Sequence, residues 1–195
     1  VDNLSETYAA DALAAVDEIM AAVDVWAEER RAQGLAPVEI NAAVANGRFI
    51  FGAIGDGKRL EYTVIGDAVN LASRIEGLTR FYGVPLIISE SAAAAAPEFI
   101  YRELDRVRVK GKLEPVRIFE PLEAGILGDG ELESYHEALA HYRAREWRQA
   151  DDILAGLAAA APASPLYALY RQRIANFLIT PPADDWDATV VHSEK

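Results

Sequence analysis

Asn70 and Arg74 stand four residues apart in the run Gly66-Asp67-Ala68-Val69-Asn70-Leu71-Ala72-Ser73-Arg74. On an α-helix this spacing puts both side chains on one face, a turn apart. Asn70 offers a neutral amide that donates and accepts, and Arg74 a forked, permanently charged guanidinium. Such a pair suits a sugar hydroxyl or ring oxygen beside a phosphate that gains negative charge. The same spacing also describes an ordinary exposed Asn–Arg pair, and spacing alone favours that plainer reading.

The elements that must position the pair are legible on either side. Residues 9–33 read as a long amphipathic helix, with Leu13, Val16, Met20 and Val23 recurring at helical spacing and Asp11, Asp17 and Asp24 on the other face. Gly34 is the expected C-cap and Pro37 forbids continuation. Val38, Ile40, Ala42 and Val44 then alternate as in a strand, and Asn46-Gly47 predicts a hairpin into a return strand over 48–54. Gly55-Asp56-Gly57 marks a second turn and 60–65 another strand. Gly66 breaks it, Asp67 is the expected N-cap, and 68–78 reads as helix. A short strand over 84–88, a helix capped by Ser89, and a hairpin around Gly111-Lys112 with strands over 107–109 and 116–121 complete this part. Strands mixed with helices and hairpins point to an α+β fold with helices packed on one face of the sheet.

Gly125 to Gly130 reads as a linker. Beyond it, Leu132, Tyr135, Leu139 and Tyr142 form one helical stripe, Trp147, Ala150, Leu154 and Leu157 a second, and Leu166, Leu169, Ile174 and Phe177 a third. Ala138, Ala150 and Pro162 are spaced by twelve, as in a single tetratricopeptide-type helical hairpin. The expected division is 1–124 for the α+β part, 125–131 linker, 132–179 helical hairpin and 180–195 extended tail.

Composition excludes several functions. The chain of 195 residues has no cysteine, so disulfides, thiolate metal sites and cysteine nucleophiles are ruled out. Its net charge of −12 leaves no basic stripe for nucleic acid. No apolar run approaches the roughly 18 residues of a membrane span, and no signal peptide is visible.

The run Tyr62-Thr63-Val64-Ile65-Gly66-Asp67-Ala68-Val69-Asn70-Leu71-Ala72-Ser73-Arg74 resembles the signature of class III adenylyl and guanylyl cyclases. Gly47, Gly52 and Gly55 sit as in that family's glycine-punctuated hairpin, and Val109-Lys110-Gly111-Lys112 and Pro115-Val116-Arg117-Ile118-Phe119 also fit, so the similarity covers about 8–122. The resemblance implies a ferredoxin-like, palm-type sheet and conversion of ATP to cyclic AMP and pyrophosphate by a homodimer with shared active sites. It assigns Asn70 to orienting the ribose and Arg74 to stabilising the phosphoryl transition state, which is catalysis by positioning and charge neutralisation. It places Thr63 at the purine, favouring adenine, and Lys110 at the triphosphate. Read by itself, Lys110 is equally a solvated hairpin charge.

The resemblance also implies Mg²⁺ or Mn²⁺, held by two aspartates that lie ahead of the long helix. The chain opens on Val1 in what reads as mid-domain, so those ligands are expected upstream of it, and this stretch alone is expected not to catalyse. Asp17 and Asp24 do not replace them, because seven residues along a helix is about 10 Å. A non-catalytic cyclase-like dimerisation or regulatory domain, or a guanylate cyclase, are the alternatives. The C-terminal hairpin reads as a protein-docking module or as a structural cap on the sheet, the cap being favoured. With its Pro181-Pro182 and Trp186 tail it also resembles the end of bacterial membrane-anchored cyclases, which implies a cytoplasmic domain tied to the membrane only through an upstream segment.

Overall fold

The computed structural model describes residues 7–56, 59–123 and 125–192. Helix α1 spans Tyr8–Ala32 and ends where Gly34 turns left-handed, at φ +73°. Strand β1 is short, Ala42–Val44, and two longer strands, β2 (Ile50–Asp56) and β3 (Arg59–Ile65), form a separate antiparallel ribbon. Then come α2 (Asp67–Glu76), α3 (Thr79–Tyr82), β4 (Leu86–Ser89), α4 (Glu90–Ala94), β5 (Ile100–Val109) and β6 (Val116–Leu122). Three further helices, α5 (Glu131–Arg143), α6 (Trp147–Ala160) and α7 (Pro165–Ile179), precede a last strand, β7 (Thr189–His192). The main sheet has the order β1-β4-β6-β5-β7. The class is α+β, as the sequence predicts.

Helices cover both faces of this sheet and not one, because β4 is apolar on both sides. Leu86 and Ile88 pack against Leu13 of α1 and Ala92 of α4. Ile87 points the other way, into a cluster with Leu71 and Ile75 of α2. Burying a Leu or Ile side chain contributes about 1.5–3 kcal/mol, so this short strand anchors two layers.

Asn46-Gly47 makes no hairpin. β1 pairs with β4 in parallel, and the return strand β2 pairs only with β3. The Asn46 side chain is committed elsewhere, donating to the Tyr8 hydroxyl at 2.7 Å, and the Ser91 hydroxyl donates to its carbonyl at 3.0 Å. Tertiary hydrogen bonds thus outweigh the local turn preference. The strand expected from Val38 forms only at 42–44, since β4 offers it four residues to pair with.

The C-terminal helices share one core with the sheet. Leu104, Val107 and Ile118 belong to the same buried cluster as Tyr135, Leu154, Tyr170 and Ile174. β5 carries a bulge between Glu103 and Asp105, which frees backbone groups from the β6 ladder. The Tyr135 hydroxyl donates to the Glu103 carbonyl and the Tyr170 hydroxyl to the Leu104 carbonyl, both at 2.8 Å. Three charged residues of β5, Arg102, Glu103 and Asp105, are consequently buried. Each has a partner: Arg102 bonds Glu120 at 2.6 Å, Arg143 pairs with Glu103, and Arg173 donates to Asp105 at 2.6 Å. The tail begins with an anchor, Arg145, which donates to the carbonyls of Ala183 and Asp184 and lies over the Trp186 ring. It ends as β7, parallel to β5.

Candidate active site

Helix α2 carries the predicted pair. It begins at Asp67, one residue before the expected start, and Gly66 occupies the N-cap position. Only a glycine fits there, since a Cβ would lie 2.8 Å from the Arg48 carbonyl and from the Phe49 Cα. Asp67 is therefore not the cap. Its carboxylate pairs with Lys112 across the β5–β6 hairpin, tying the first turn of α2 to that loop. The apolar face, Leu71 and Ile75, is buried, which fixes the rotation of the helix. Asn70 is left exposed and Arg74 half-buried.

The hairpin that receives Lys112 also backs Arg74. The Lys112 amide donates to the Val109 carbonyl at 3.0 Å, closing a tight turn with Gly111 in its third position at φ +74°. A positive φ there is what a type II turn requires and glycine supplies. A Cβ on Gly111 would lie 3.2 Å from one terminal nitrogen of the Arg74 guanidinium and 3.4 Å from the other. The structure thus sets the Lys110–Lys112 turn beside Arg74, one helical turn beyond Asn70. Among the described residues, Asn70, Arg74 and Lys110 have no side-chain hydrogen bond or ion pair. Arg74 is thus a half-buried residue whose guanidinium has no carboxylate partner among the described residues and is available to an anion.

Thr63 lies elsewhere. It sits on β3, half-buried, opposite Gly52 of β2, three residues before the Gly66 turn. No hydrogen bond joins it to Asn70, Arg74 or Lys110 among the described residues.

Residues that the spacing did not single out complete the surroundings. Asp67, Lys112, Asn46, Arg48 and Glu90 line a cleft of about 570 Å³ beside the start of α2. Glu90 has its carboxyl held below the usual range by hydrogen bonds from Arg117. The doubled lysine around Gly111 was the available signal for Lys112, but nothing local says which lysine is paired and which is free.

Among the described residues, no three carboxylate or imidazole groups converge to hold a metal ion. The side chains of the described residues do not fit Mg²⁺ or Mn²⁺. No helix among the described residues is long and apolar enough to cross a membrane.

Comparison with known proteins bears on this arrangement. The family model of the adenylate and guanylate cyclase catalytic domain matches residues 2–122. An adenylate cyclase of Anabaena cylindrica is 42% identical over 107 residues, covering 51% of this chain and 21% of the relative. Adenylate cyclase 1 of Rhizobium meliloti is 30% identical over 99 residues, covering 50% and 15%. The chain therefore spans about a fifth or less of these relatives' lengths. Among solved structures, the adenylyl cyclase CyaB from P. aeruginosa superposes with a TM-score of 0.55 at 26% identity, and the guanylyl cyclase Cya2 with 0.51 at 27%. The coverage is 65% of both chains in the first case and 66% in the second. Helix α2, its glycine turn and the Lys110–Lys112 hairpin all lie within the matched residues, and on this ground the chain belongs to the class III adenylate and guanylate cyclase catalytic domain family.

Proposed function

We propose that this chain is the part of an adenylate cyclase that presents Asn70 and Arg74 to ATP. The reaction joins the ribose 3′ oxygen to the α-phosphorus, breaks the bond to pyrophosphate and releases one proton. Asn70 orients the ribose through its amide. Arg74 neutralises the charge that builds on the α-phosphoryl oxygens, and Lys110 holds the leaving triphosphate end. Thr63 reads the adenine edge. The observation that carries this reading is Arg74, half-buried, beside Gly111 and without a carboxylate partner among the described residues.

Adenine is favoured over guanine by the hydroxyl at Thr63 and by relatives named as adenylate cyclases in Anabaena cylindrica, Dictyostelium discoideum and Rhizobium meliloti. The likeness to the guanylyl cyclase Cya2 makes guanylate the second reading. Mg²⁺ or Mn²⁺ belongs to carboxylates outside this chain, and the domain works on the cytoplasmic side, tied to the membrane by residues outside it.

A second subunit completes the proposal. The β2–β3 ribbon exposes apolar side chains on both faces: Ile50 is 69% exposed, Phe51 67%, Leu60 68% and Tyr62 80%. Exposed apolar area on that scale marks an interface, and in a family of paired sites a second copy of this chain is the occupant that fits.

The test is nucleotide turnover by the complete protein with Mn²⁺ or Mg²⁺. Cyclic AMP from ATP is expected, and none from the 195-residue chain alone. Cyclic AMP production by the isolated chain would overturn the view that its metal ligands lie outside it. A complete protein that cyclises neither ATP nor GTP would overturn the catalytic reading in favour of a regulatory domain.

A further inference from the structure

The turn that backs Arg74 is held by an unexpected neighbour. On one side of β5 the ladder to β6 stops at the pair Val107–Val116. Arg108 and Val109, which lead into the turn, have their strand partners only in β7, as the pairs Arg108–Val191 and Val109–His192. The end of the chain thus continues β5 to the edge of the site.

β7 is itself fixed at both ends. At its start the Thr189 amide donates to the Asp187 carboxylate at 3.0 Å, and Arg106 donates to the Asp187 carbonyl at 3.1 Å. At its end the His192 ring meets Phe81 edge-on at 5.1 Å and lies 3.4 Å from the Tyr82 hydroxyl. Tyr82 in turn donates to the buried Asp105 of β5 at 2.7 Å. His192 pairs with Val109, the first residue of the turn that lies beside the guanidinium.

We propose that β7 is a positioning strand for the active site: docked on β5 and locked by His192 against α3, it holds the Val109–Lys112 turn where Gly111 backs Arg74. A strand end with no ladder partner frays. Without β7 the turn moves, Arg74 loses its backing, and the transition state loses a fixed charge. Substrate binding, which needs no such exact placement, changes little. The effect on turnover rests on the cyclase reading of Arg74; the effect on the turn does not.

The experiment ends the chain at Ala188, which leaves the Arg145–Trp186 anchor and the Arg106–Asp187 contact in place. Two substitutions accompany it: His192→Ala, and His192→Phe, which keeps a ring between Phe81 and Tyr82. In the 195-residue chain, exchange of the Lys112 amide is expected to speed up about tenfold on shortening and in His192→Ala, and to be restored in His192→Phe. In the complete protein, kcat is expected to fall about tenfold with KM within about twofold, again with rescue by phenylalanine. Unchanged Lys112 exchange would overturn the proposal. So would faster exchange with unchanged kcat, since the turn would then not govern Arg74. If the unaltered complete protein cyclises no nucleotide, the reading of the site fails instead, and the strand's role is decided by Lys112 exchange together with the relaxation of the Arg74 Nε–H.

Discussion

Arg74 and Thr63 make different demands on substitution. On the proposed reading Arg74 acts on charge that develops as the α-phosphorus is attacked, so in the complete protein Arg74→Ala should lower kcat by about 10²–10³ and leave KM nearly unchanged. Steady-state kinetics with ATP measures both, and a near-normal kcat would return Arg74 to the surface role that spacing alone suggested. On the same reading Thr63 contributes one neutral hydrogen bond to the base, about 0.5–1.5 kcal/mol. Thr63→Ala should therefore reduce the ratio of kcat/KM for ATP over GTP several-fold without altering pyrophosphate inhibition. An unaltered ratio with altered pyrophosphate inhibition would move Thr63 to the phosphates. The helix bearing the pair was legible because Leu71 and Ile75 announce its buried face. The Lys112–Asp67 contact was not, because it joins residues 45 apart in sequence that no local pattern relates.

At the scale of elements, the β2–β3 ribbon is the piece with most to gain from a partner. Its rings, Phe51 and Tyr62, lie 6.2 Å apart and stand in solvent. Tyr62→Glu should shift the complete protein from dimer to monomer in sedimentation equilibrium and depress turnover in proportion, while thermal unfolding of the isolated chain stays within about 0.5 kcal/mol of normal, as for other surface changes. A dimer that survives this change would place the interface elsewhere. Both strands of this ribbon were readable, but Gly55 and Asp56, read as part of a turn, lie in β2 opposite Leu60 and Arg59, and the rest of that turn falls outside the described residues. Asn46-Gly47 misled, since its side chain serves a tertiary contact with Tyr8 and Ser91 that outranks its turn chemistry. The last strand was read only as extended tail. Four residues, Thr189-Val190-Val191-His192, carry too little pattern to reveal that β5 waits for them.

For the whole molecule, stability turns on how β5 is satisfied. Tyr135→Phe and Tyr170→Phe each leave a buried carbonyl of the bulge unpaired, which should cost about 1–3 kcal/mol, measurable by urea unfolding. Arg173→Met, which removes the charge partner of the buried Asp105 carboxylate and leaves it only the Tyr82 hydroxyl and the Arg106 amide, should cost about 3–5 kcal/mol. Acidification gives a separate signature. Burial, opposed by Asp105 and reinforced by Arg173, holds the His192 imidazole below its usual range, and burial does the same to His136. A depressed folded pKa means the unfolded chain binds the proton first, so these rings support stability fully above about pH 6.5 and lose it as pH falls below. Asp187, lowered by its hydrogen bonds to Thr189, fails in turn at lower pH. Protection of the β7 amides, taken relative to the intrinsic exchange rate at each pH, should therefore fall between about pH 7 and pH 5 ahead of the rest of the sheet. Protection that is flat across that interval would remove His192 from the lock.

The bulge in β5 has a bearing on how the molecule comes into being. Its carbonyls at Glu103 and Leu104 are answered by hydroxyls at Tyr135 and Tyr170, and its end is paired by residues up to His192. On a ribosome, each of these partners is made after the strand itself, the last of them more than eighty residues later. Pairings so distant in sequence close slowly. The emerging chain must therefore carry β5 with its polar groups still in water until the C-terminal helices leave the exit tunnel. Completion of the sheet, and with it the turn beside Arg74, therefore waits for residues up to His192, so a product terminated before them cannot assemble that support.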